Sequence, residues 1–176
     1  MKKSIESETS IEYRYIQSPL GKLIIAATSL GCCLVQFVDS RGFTQIEEEL
    51  TRRYKMKIME GANPFLDQLE KELDQYFSGS RQTFTVPLDA RGTTFQKAVW
   101  EQLISIPYGE TKSYGEIARV LGKPKAARAV GKANRENCIN IIVPCHRIIG
   151  SDQKLNNYNG GQWRKKELLF LEKQYS

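Results

Sequence analysis

Residues Ile139–Ile149 read INIIVPCHRII, an apolar run that carries a thiol, an imidazole and a guanidinium in its second half. The apolar residues predict that this stretch is buried, although Cys145, His146 and Arg147 lie within it. Pro144 removes one backbone donor and biases the residue before it towards an extended conformation. The pattern therefore predicts a thiol held rigidly at the edge of a pocket.

The thiol of Cys145 becomes a strong nucleophile only as a thiolate, which requires a nearby base or positive charge. His146 is the only histidine and so the only imidazole available as that base. Adjacent residues of an extended chain point to opposite sides, so we expect a local kink or a bridging water between them. A carboxylate should orient the imidazole, and several are candidates. The alternative is an inert buried cysteine beside a histidine that satisfies a core hydrogen bond.

The net charge of +6 is concentrated in one segment. Residues 112–135 contain seven basic residues and one acidic residue, so this segment accounts for the whole excess. A concentrated basic segment predicts a polyanionic partner, and a solvated helix face is the alternative. The basic residues are Lys112, Arg119, Lys123, Lys125, Arg128, Lys132 and Arg135.

The N-terminal half predicts strands followed by helices. Three apolar, β-branched segments separated by turn residues predict an antiparallel meander. A helix is predicted at Thr44–Tyr54, and a clearer one begins at Asn63-Pro64 and ends at Gly79. Thr83–Val86 is predicted to be a further strand. The three strands of the meander are Ile11–Gln17, Lys22–Thr28 and Cys32–Val38.

The C-terminal half predicts helices. Thr93–Ile104 has the apolar spacing of an amphipathic helix. Tyr114–Leu121 predicts a short helix closed by Gly122, and Pro124 is predicted to open the next helix, which runs to about residue 135. Two short helices separated by a few residues that include glycine indicate a helix-turn-helix.

The bulk properties restrict the class of protein. A length of 176 residues suits one large domain or two small ones. No apolar run approaches a membrane span, and Met1–Ser10 lacks the apolar stretch of a secretory signal, so we expect a cytoplasmic protein. Its four cysteines are then free thiols. With one histidine and no C-x-x-C pair, we expect no metal site, and nothing indicates a cofactor.

The motif and its flanks resemble a known family, the O6-alkylguanine-DNA alkyltransferases, also called methylated-DNA–protein-cysteine methyltransferases. The resemblance is strong from about Phe95 to Glu172, and the N-terminal half matches in general layout. The residues that carry it are Asn137, Pro144-Cys145-His146-Arg147-Ile148-Ile149, Tyr158-Asn159-Gly160-Gly161, Phe95-Gln96-x-x-Val99-Trp100, Ile106-Pro107-Tyr108-Gly109-Glu110, Ser113-Tyr114-Gly115 and Ala126-Ala127-Arg128-Ala129-Val130-Gly131.

The resemblance implies an α+β fold in two domains. Residues 1–88 would form an N-terminal ribonuclease-H-like α/β domain with an antiparallel sheet. Residues 89–176 would form a winged-helix-like domain whose helix-turn-helix binds DNA and which also carries out alkyl transfer.

The resemblance also implies the chemistry. Cys145 would take the alkyl group from O6-alkylguanine, and from O4-alkylthymine, irreversibly and once per chain. His146 would act as a base through a water, and Glu172 would orient His146. Tyr114 would supply a proton to the departing guanine, and Asn137 would brace the active-site turn.

The implied partner is double-stranded DNA that contains O6-alkylguanine, bound by a monomer. The target atom lies inside a stacked duplex, so the nucleotide must be flipped out, and the planar cation of Arg128 can fill the gap. Small side chains around it let the helix approach DNA closely. The predicted DNA-contacting residues are Ser113, Lys125, Ala126, Ala127, Arg128, Ala129, Gly131, Ile148, Tyr158 and Asn159.

Two other functions remain open. A DNA-binding lesion sensor or regulator would explain the basic helix-turn-helix but not the thiol, and covalent alkylation of Cys145 would exclude it. A thiol hydrolase would turn over many times on a small ester or peptide, and it gives no role to Arg128.

The chain departs from the family pattern at three positions. Cys138 and Asn140 stand where prolines are common, so the active-site turn is less constrained. Asn159 stands where many members have serine or alanine. Its larger amide would hydrogen-bond the base or narrow the pocket against bulky alkyl groups.

The pocket at Asn159 predicts a slower reaction with O6-benzylguanine than with O6-methylguanine, because the benzyl group needs more room. The measurement is the pair of second-order rate constants for modification of Cys145 by the two compounds. Equal rate constants would contradict the prediction.

Overall fold

A four-stranded sheet forms the N-terminal part of the computed structural model, which describes residues 10–40, 42–152, 154–155 and 158–176. The strand order is β3-β2-β1-β4. The predicted antiparallel meander is present, but β4 pairs with β1 in parallel, so the sheet is mixed and not purely antiparallel. The strands are β1 (Ser10–Ile16), β2 (Leu23–Thr28), β3 (Gly31–Phe37) and β4 (Lys57–Glu60).

Two helices belong to this part. Helix α1 (Phe43–Tyr54) connects β3 to β4, which allows β4 to run parallel to β1. Helix α2 (Pro64–Phe77) begins as predicted, because the side chain of Asn63 accepts a hydrogen bond from the amide of Phe65 at 2.9 Å. The helix predicted at Thr44–Tyr54 and the helix predicted to begin at Asn63-Pro64 are thus confirmed.

The strand predicted at Thr83–Val86 is wrong. The backbone amides of Thr85 and Val86 donate to the carboxylate of Glu72 on α2, at 2.9 and 3.2 Å, and not to a neighbouring strand. A buried carboxylate thus takes the place of a strand partner.

The C-terminal part is mainly helical. Helices α4 and α5 pack together and form the predicted helix-turn-helix. The helix predicted to begin at Pro124 begins instead at Ala127, because the preceding residues form a turn in which the amide of Ala126 donates to the carbonyl of Lys123 at 2.8 Å. The elements are α3 (Thr94–Ile104), β5 (Lys112–Ser113), α4 (Tyr114–Val120), α5 (Ala127–Arg135), β6 (Ile148–Ile149) and α6 (Gln162–Gln174).

The two parts share an apolar core and a backbone junction. On β3, the amide of Val35 donates to the carbonyl of Cys138, and its carbonyl accepts from the amide of Asn140, both at 2.9 Å. The N-terminal sheet therefore fixes the start of the segment that carries the thiol. Among the described residues, no helix has the length and apolarity needed to cross a membrane.

Candidate active site

The backbone around the thiol is bent by two three-residue turns. Each turn is closed by a hydrogen bond between residues i and i+2, one centred on Ile141 (2.9 Å) and one on Pro144 (2.7 Å). The φ of Ile141 is +74°, which is strained for a β-branched residue, whereas Pro144 has a relaxed φ of −80° and ψ of 64°. A 3₁₀ turn over Cys145–Arg147 follows, so the segment is kinked and not extended.

The side chain of Asn137 spans this bend. Its amide nitrogen donates to the carbonyl of Val143 at 2.9 Å, and its oxygen accepts from the amide of Ile139 at 2.9 Å. The structure therefore brings Asn137 to the position that the bracing role requires.

A buried charge network surrounds His146. Its Nε2 lies 2.6 Å from Oε1 of Glu172, which has no solvent exposure. Arg147 donates to the two oxygens of the same carboxylate at 2.9 and 3.0 Å, and Tyr76 donates at 2.7 Å. Of the open candidates, Glu172 is thus the carboxylate that contacts the imidazole.

Burial and hydrogen bonding within this network determine the protonation states of Glu172 and His146. Burial raises the pKa of Glu172, but hydrogen bonds from His146 and Arg147 outweigh burial and lower this pKa to about 2. Burial lowers the pKa of His146 against the opposing effect of Glu172. The site at neutral pH therefore holds an ionised carboxylate and a neutral imidazole, which is the form that can accept a proton.

The thiol of Cys145 is only 2% exposed. Burial raises its pKa to about 11, and the hydrogen bond from Asn137 and the charge of Lys165 oppose that rise. The backbone amide of His146 also favours the thiolate, but the described contacts include no hydrogen bond between the thiol and the imidazole of His146, whose Nδ1 is buried with no partner in the described part of the chain. Of the two alternatives that the sequence left open, the local kink is present, and the bridging water stays a prediction.

Lys165 is a site residue that the sequence reasoning missed. It lies on α6 with no solvent exposure, donates to the carbonyl of Ile148 and interacts electrostatically with Cys145. Burial lowers its pKa to about 8, and Cys145 opposes this. A cation so close to the sulfur stabilises a thiolate. Its three-residue spacing from Leu168, on the buried face of α6, is the signal that could have revealed it.

An open groove of about 1020 Å³ runs along α5. Tyr114, Arg128 and Gly131 line it, and a Cβ on Gly131 would lie 3.6 Å from the ring of Tyr114, so α4 and α5 approach closely there. Arg128 is exposed. The other lining residues are Gly115, Ala127, Lys132, Asn134, Arg135, Gly150, Ser151, Asp152 and Leu155.

Tyr114 connects the groove to the thiol. It lines the groove, and its pKa is raised by burial and by the nearby Cys145. The sulfur itself does not line the groove.

Four other predicted DNA-contacting residues lie beside this groove or in neighbouring segments. Ala126 and Ala129 flank its α5 wall, and Lys125 is exposed in the preceding turn. Ser113 accepts a hydrogen bond from the amide of Glu116 at 3.2 Å and caps α4. These four residues are not among those lining the groove, and their roles towards DNA stay predictions.

Three further predicted DNA contacts are Ile148, Tyr158 and Asn159, and of these Tyr158 packs against the imidazole. The ring of Tyr158 packs edge-on against His146 at a centroid distance of 6.4 Å, and its hydroxyl is buried with no partner in the described ranges. Ile148 is fully buried. The amide of Asn159 donates to the carbonyl of Arg135 at 2.5 Å, so it ties the loop to the end of α5. Narrowing of the pocket by Asn159 stays a prediction.

Comparison with known families covers nearly the whole chain. Residues 94–174 match the domain described as 6-O-methylguanine DNA methyltransferase, DNA binding domain, and residues 11–90 match the ribonuclease-like domain of the same family. The chain belongs to the 6-O-methylguanine DNA methyltransferase family. The expected α+β fold and the family resemblance are thereby confirmed.

Individual members of the 6-O-methylguanine DNA methyltransferase family agree. The methylated-DNA–protein-cysteine methyltransferase of Mycolicibacterium paratuberculosis is 45% identical over 166 residues, 94% of each chain. The constitutive enzyme of Bacillus subtilis is 40% identical, over 89% of this chain and 92% of that one. The crystal structure of Mycobacterium tuberculosis OGT in complex with DNA has a TM-score of 0.80 and 44% identity, covering 94% of both chains.

Proposed function

We propose that this methyltransferase repairs DNA by moving a methyl or other alkyl group from O6 of guanine to the sulfur of Cys145. Transfer from methylated DNA to a protein cysteine is the activity of its family and of this chain. The observation that carries the assignment to Cys145 is the buried array of thiol, imidazole and carboxylate next to the groove of α5.

The first step is ionisation of the thiol. Neutral His146 takes the proton of Cys145 through a water at Nδ1, the nitrogen that Glu172 leaves available. Glu172 holds the ring and stabilises the imidazolium that forms. The ammonium of Lys165 stabilises the thiolate and so offsets its burial.

The second step is an in-line displacement at the alkyl carbon. The carbon–sulfur bond forms as the bond from carbon to O6 breaks, and the electron pair of that bond stays on guanine. The hydroxyl of Tyr114, kept protonated at neutral pH because its pKa is raised, supplies the proton that neutralises the departing base. A thioether is a poor leaving group, so each chain acts once.

The target nucleotide must leave the duplex before it reacts. We assign this step to α5, where exposed Arg128 stands on a helix with small neighbours and enters the space that the nucleotide vacates. The preferred partner is then double-stranded DNA with O6-alkylguanine, and O4-alkylthymine is a second substrate.

The proposed steps also bear on the oligomeric state, the compartment and the domain boundary. A monomer suffices, because every group in the proposed steps comes from one chain. The free thiols suit the reducing cytoplasm. We place the domain boundary between Leu88 and Asp89, so that residues 89–176 contain the thiol, the base and the DNA-binding helices.

Arg128→Ala tests the role in DNA. We expect the single-turnover transfer rate from a duplex with one O6-methylguanine to fall by about 10- to 100-fold, because unstacking costs a few kcal/mol that the guanidinium no longer offsets. The rate with the free base O6-methylguanine should stay unchanged. The matched control is Arg52→Ala, which removes an exposed arginine on α1.

Equal rates for the two variants on duplex DNA would refute the role of Arg128. Binding of the duplex by the wild-type protein without any transfer would support the lesion sensor in place of the methyltransferase.

A further inference from the structure

We propose that Asn140 is a further catalytic residue, whose side-chain amide accepts a hydrogen bond from the thiol of Cys145 and, after rotation, donates one to the thiolate. This inference rests on the proposed function, because it concerns the same sulfur.

The first observation is the contact itself. Asn140 has no solvent exposure, and its Oδ1 lies 3.6 Å from Sγ of Cys145, within reach of a weak S–H donor. The amide oxygen therefore stabilises the protonated form of the sulfur.

The second observation concerns the nitrogen of the same side-chain amide. Nδ2 of Asn140 is buried and has no hydrogen-bond partner in the part of the chain that the structure describes. A buried unpaired amide donor is costly, so such a group in an active site requires a reason. An acceptor that exists only during the reaction supplies one, and the thiolate is such an acceptor.

Rotation of the amide by half a turn exchanges its oxygen and nitrogen. Among the described contacts of the side chain, the only hydrogen bond lost is the one from Cys145, which disappears anyway when the thiol loses its proton. The N–H group then points at the charged sulfur, and hydrogen bonds to charged groups are the stronger ones.

The backbone of Asn140 is held by hydrogen bonds at both of its polar groups. Its amide donates to the carbonyl of Val35 on β3 at 2.9 Å, and its carbonyl accepts from the amide of Ile142 at 2.9 Å. A proline at this position would lack both the amide donor and the carboxamide. This departure from the family pattern therefore adds a polar group that contacts the nucleophile.

Other groups also act on the sulfur and must be separated from Asn140 in any test. Lys165 on α6 and the side chain of Asn137 favour the thiolate. The hydroxyls of Tyr114 on α4 and Tyr158 interact with the sulfur as well. The backbone amides of Cys145 and His146 favour the thiolate too. The neighbouring titratable groups are the neutral imidazole of His146 and the ion pair of Glu172 with Arg147.

Asn140→Leu tests the proposal, because leucine keeps the shape and the backbone donor and removes both polar atoms. We expect transfer from duplex DNA at neutral pH to slow by about tenfold, as a pKa of Cys145 higher by about one would produce. The rate should approach that of the wild type at high pH, where both thiols are ionised. Asn140→Ala should shift the pH profile in the same direction without adding an apolar group.

The matched control is Gln36→Met, which replaces a buried amide whose oxygen also lacks a described partner, on β3. Its pH profile should equal that of the wild type. Equal slowing at every pH in both Asn140 variants would overturn the proposal, because a structural role does not depend on ionisation of the sulfur. An unchanged pH profile of the transfer rate would also overturn it.

Alkylation of Cys145 by iodoacetamide, followed by peptide mass spectrometry, reports the same ionisation without DNA. A shifted iodoacetamide profile in the Asn140 variants, in a protein that takes no methyl group from DNA, would refute the proposed function and support the role of Asn140. Methyl transfer from DNA together with an unshifted iodoacetamide profile would support the proposed function and refute the role of Asn140.

Discussion

Glu172→Gln is expected to lower the free energy of unfolding by about 3–5 kcal/mol, because it leaves a buried cation without its counterion. The carboxylate has no solvent exposure and binds His146, Arg147 and Tyr76 at 2.6–3.0 Å. Glutamine keeps the shape but loses the charge, so the guanidinium of Arg147 stays buried and only partly compensated. Urea denaturation gives the difference directly.

The same variant is expected to slow alkyl transfer by about 100-fold or more. Glutamine can present its NH₂ group to the imidazole and hold the wrong tautomer, and it cannot stabilise the imidazolium. The matched control is Glu167→Gln, an exposed position on the same helix, for which we expect wild-type stability and rate. A Glu172→Gln protein within about 0.5 kcal/mol of wild type would contradict the importance of this network.

The contribution of Glu172 should depend on pH in a defined direction. Its folded-state pKa, about 2, lies below the ordinary value of 4.5. A lowered pKa means that the stabilisation is complete above about 4.5 and is lost as the pH falls from there towards 2. The stability difference between wild type and Glu172→Gln should therefore shrink over this acidic range. A constant difference would show that the carboxylate is not ionised in the folded protein.

Cys145→Ser is expected to abolish transfer, because a hydroxyl is not ionised by a neutral imidazole as a thiol is. In the wild-type protein the methyl groups transferred should reach a plateau at one per chain, however much methylated DNA is added. Cys33→Ala, which removes another buried thiol, should give the same plateau. A count that continues to rise with substrate would contradict single use and favour a true catalyst.

Much of the fold was predictable because its signals are local. The meander carries apolar runs between turn residues, and α2 and α3 carry their caps in the sequence. Strand β4 was missed because Lys57–Glu60 is short and mostly exposed, with a charged residue at each end. Thr83–Val86 looked like a strand since β-branched residues favour one, but its donors bind Glu72 on a distant helix.

The site was predictable only in part for a similar reason. The adjacent residues Cys145 and His146 formed a motif that could be read directly from the chain. Helical spacing could have marked Lys165 as buried, but its contact and that of Arg147 join residues 17 and 25 positions apart, and spacing does not reveal which partner each one meets. Asn140 appeared only as a departure from a family pattern, because its contact with the sulfur depends on the turn centred on Ile141.

Peptide mass spectrometry of the protein after incubation with duplex DNA containing O6-methylguanine tests the central claim most directly. We expect the peptide carrying Cys145 to gain the mass of one methylene group, in an amount equal to the lesion lost from the DNA. Loss of the lesion while that peptide keeps its original mass, or a methyl group found on another cysteine, would contradict it.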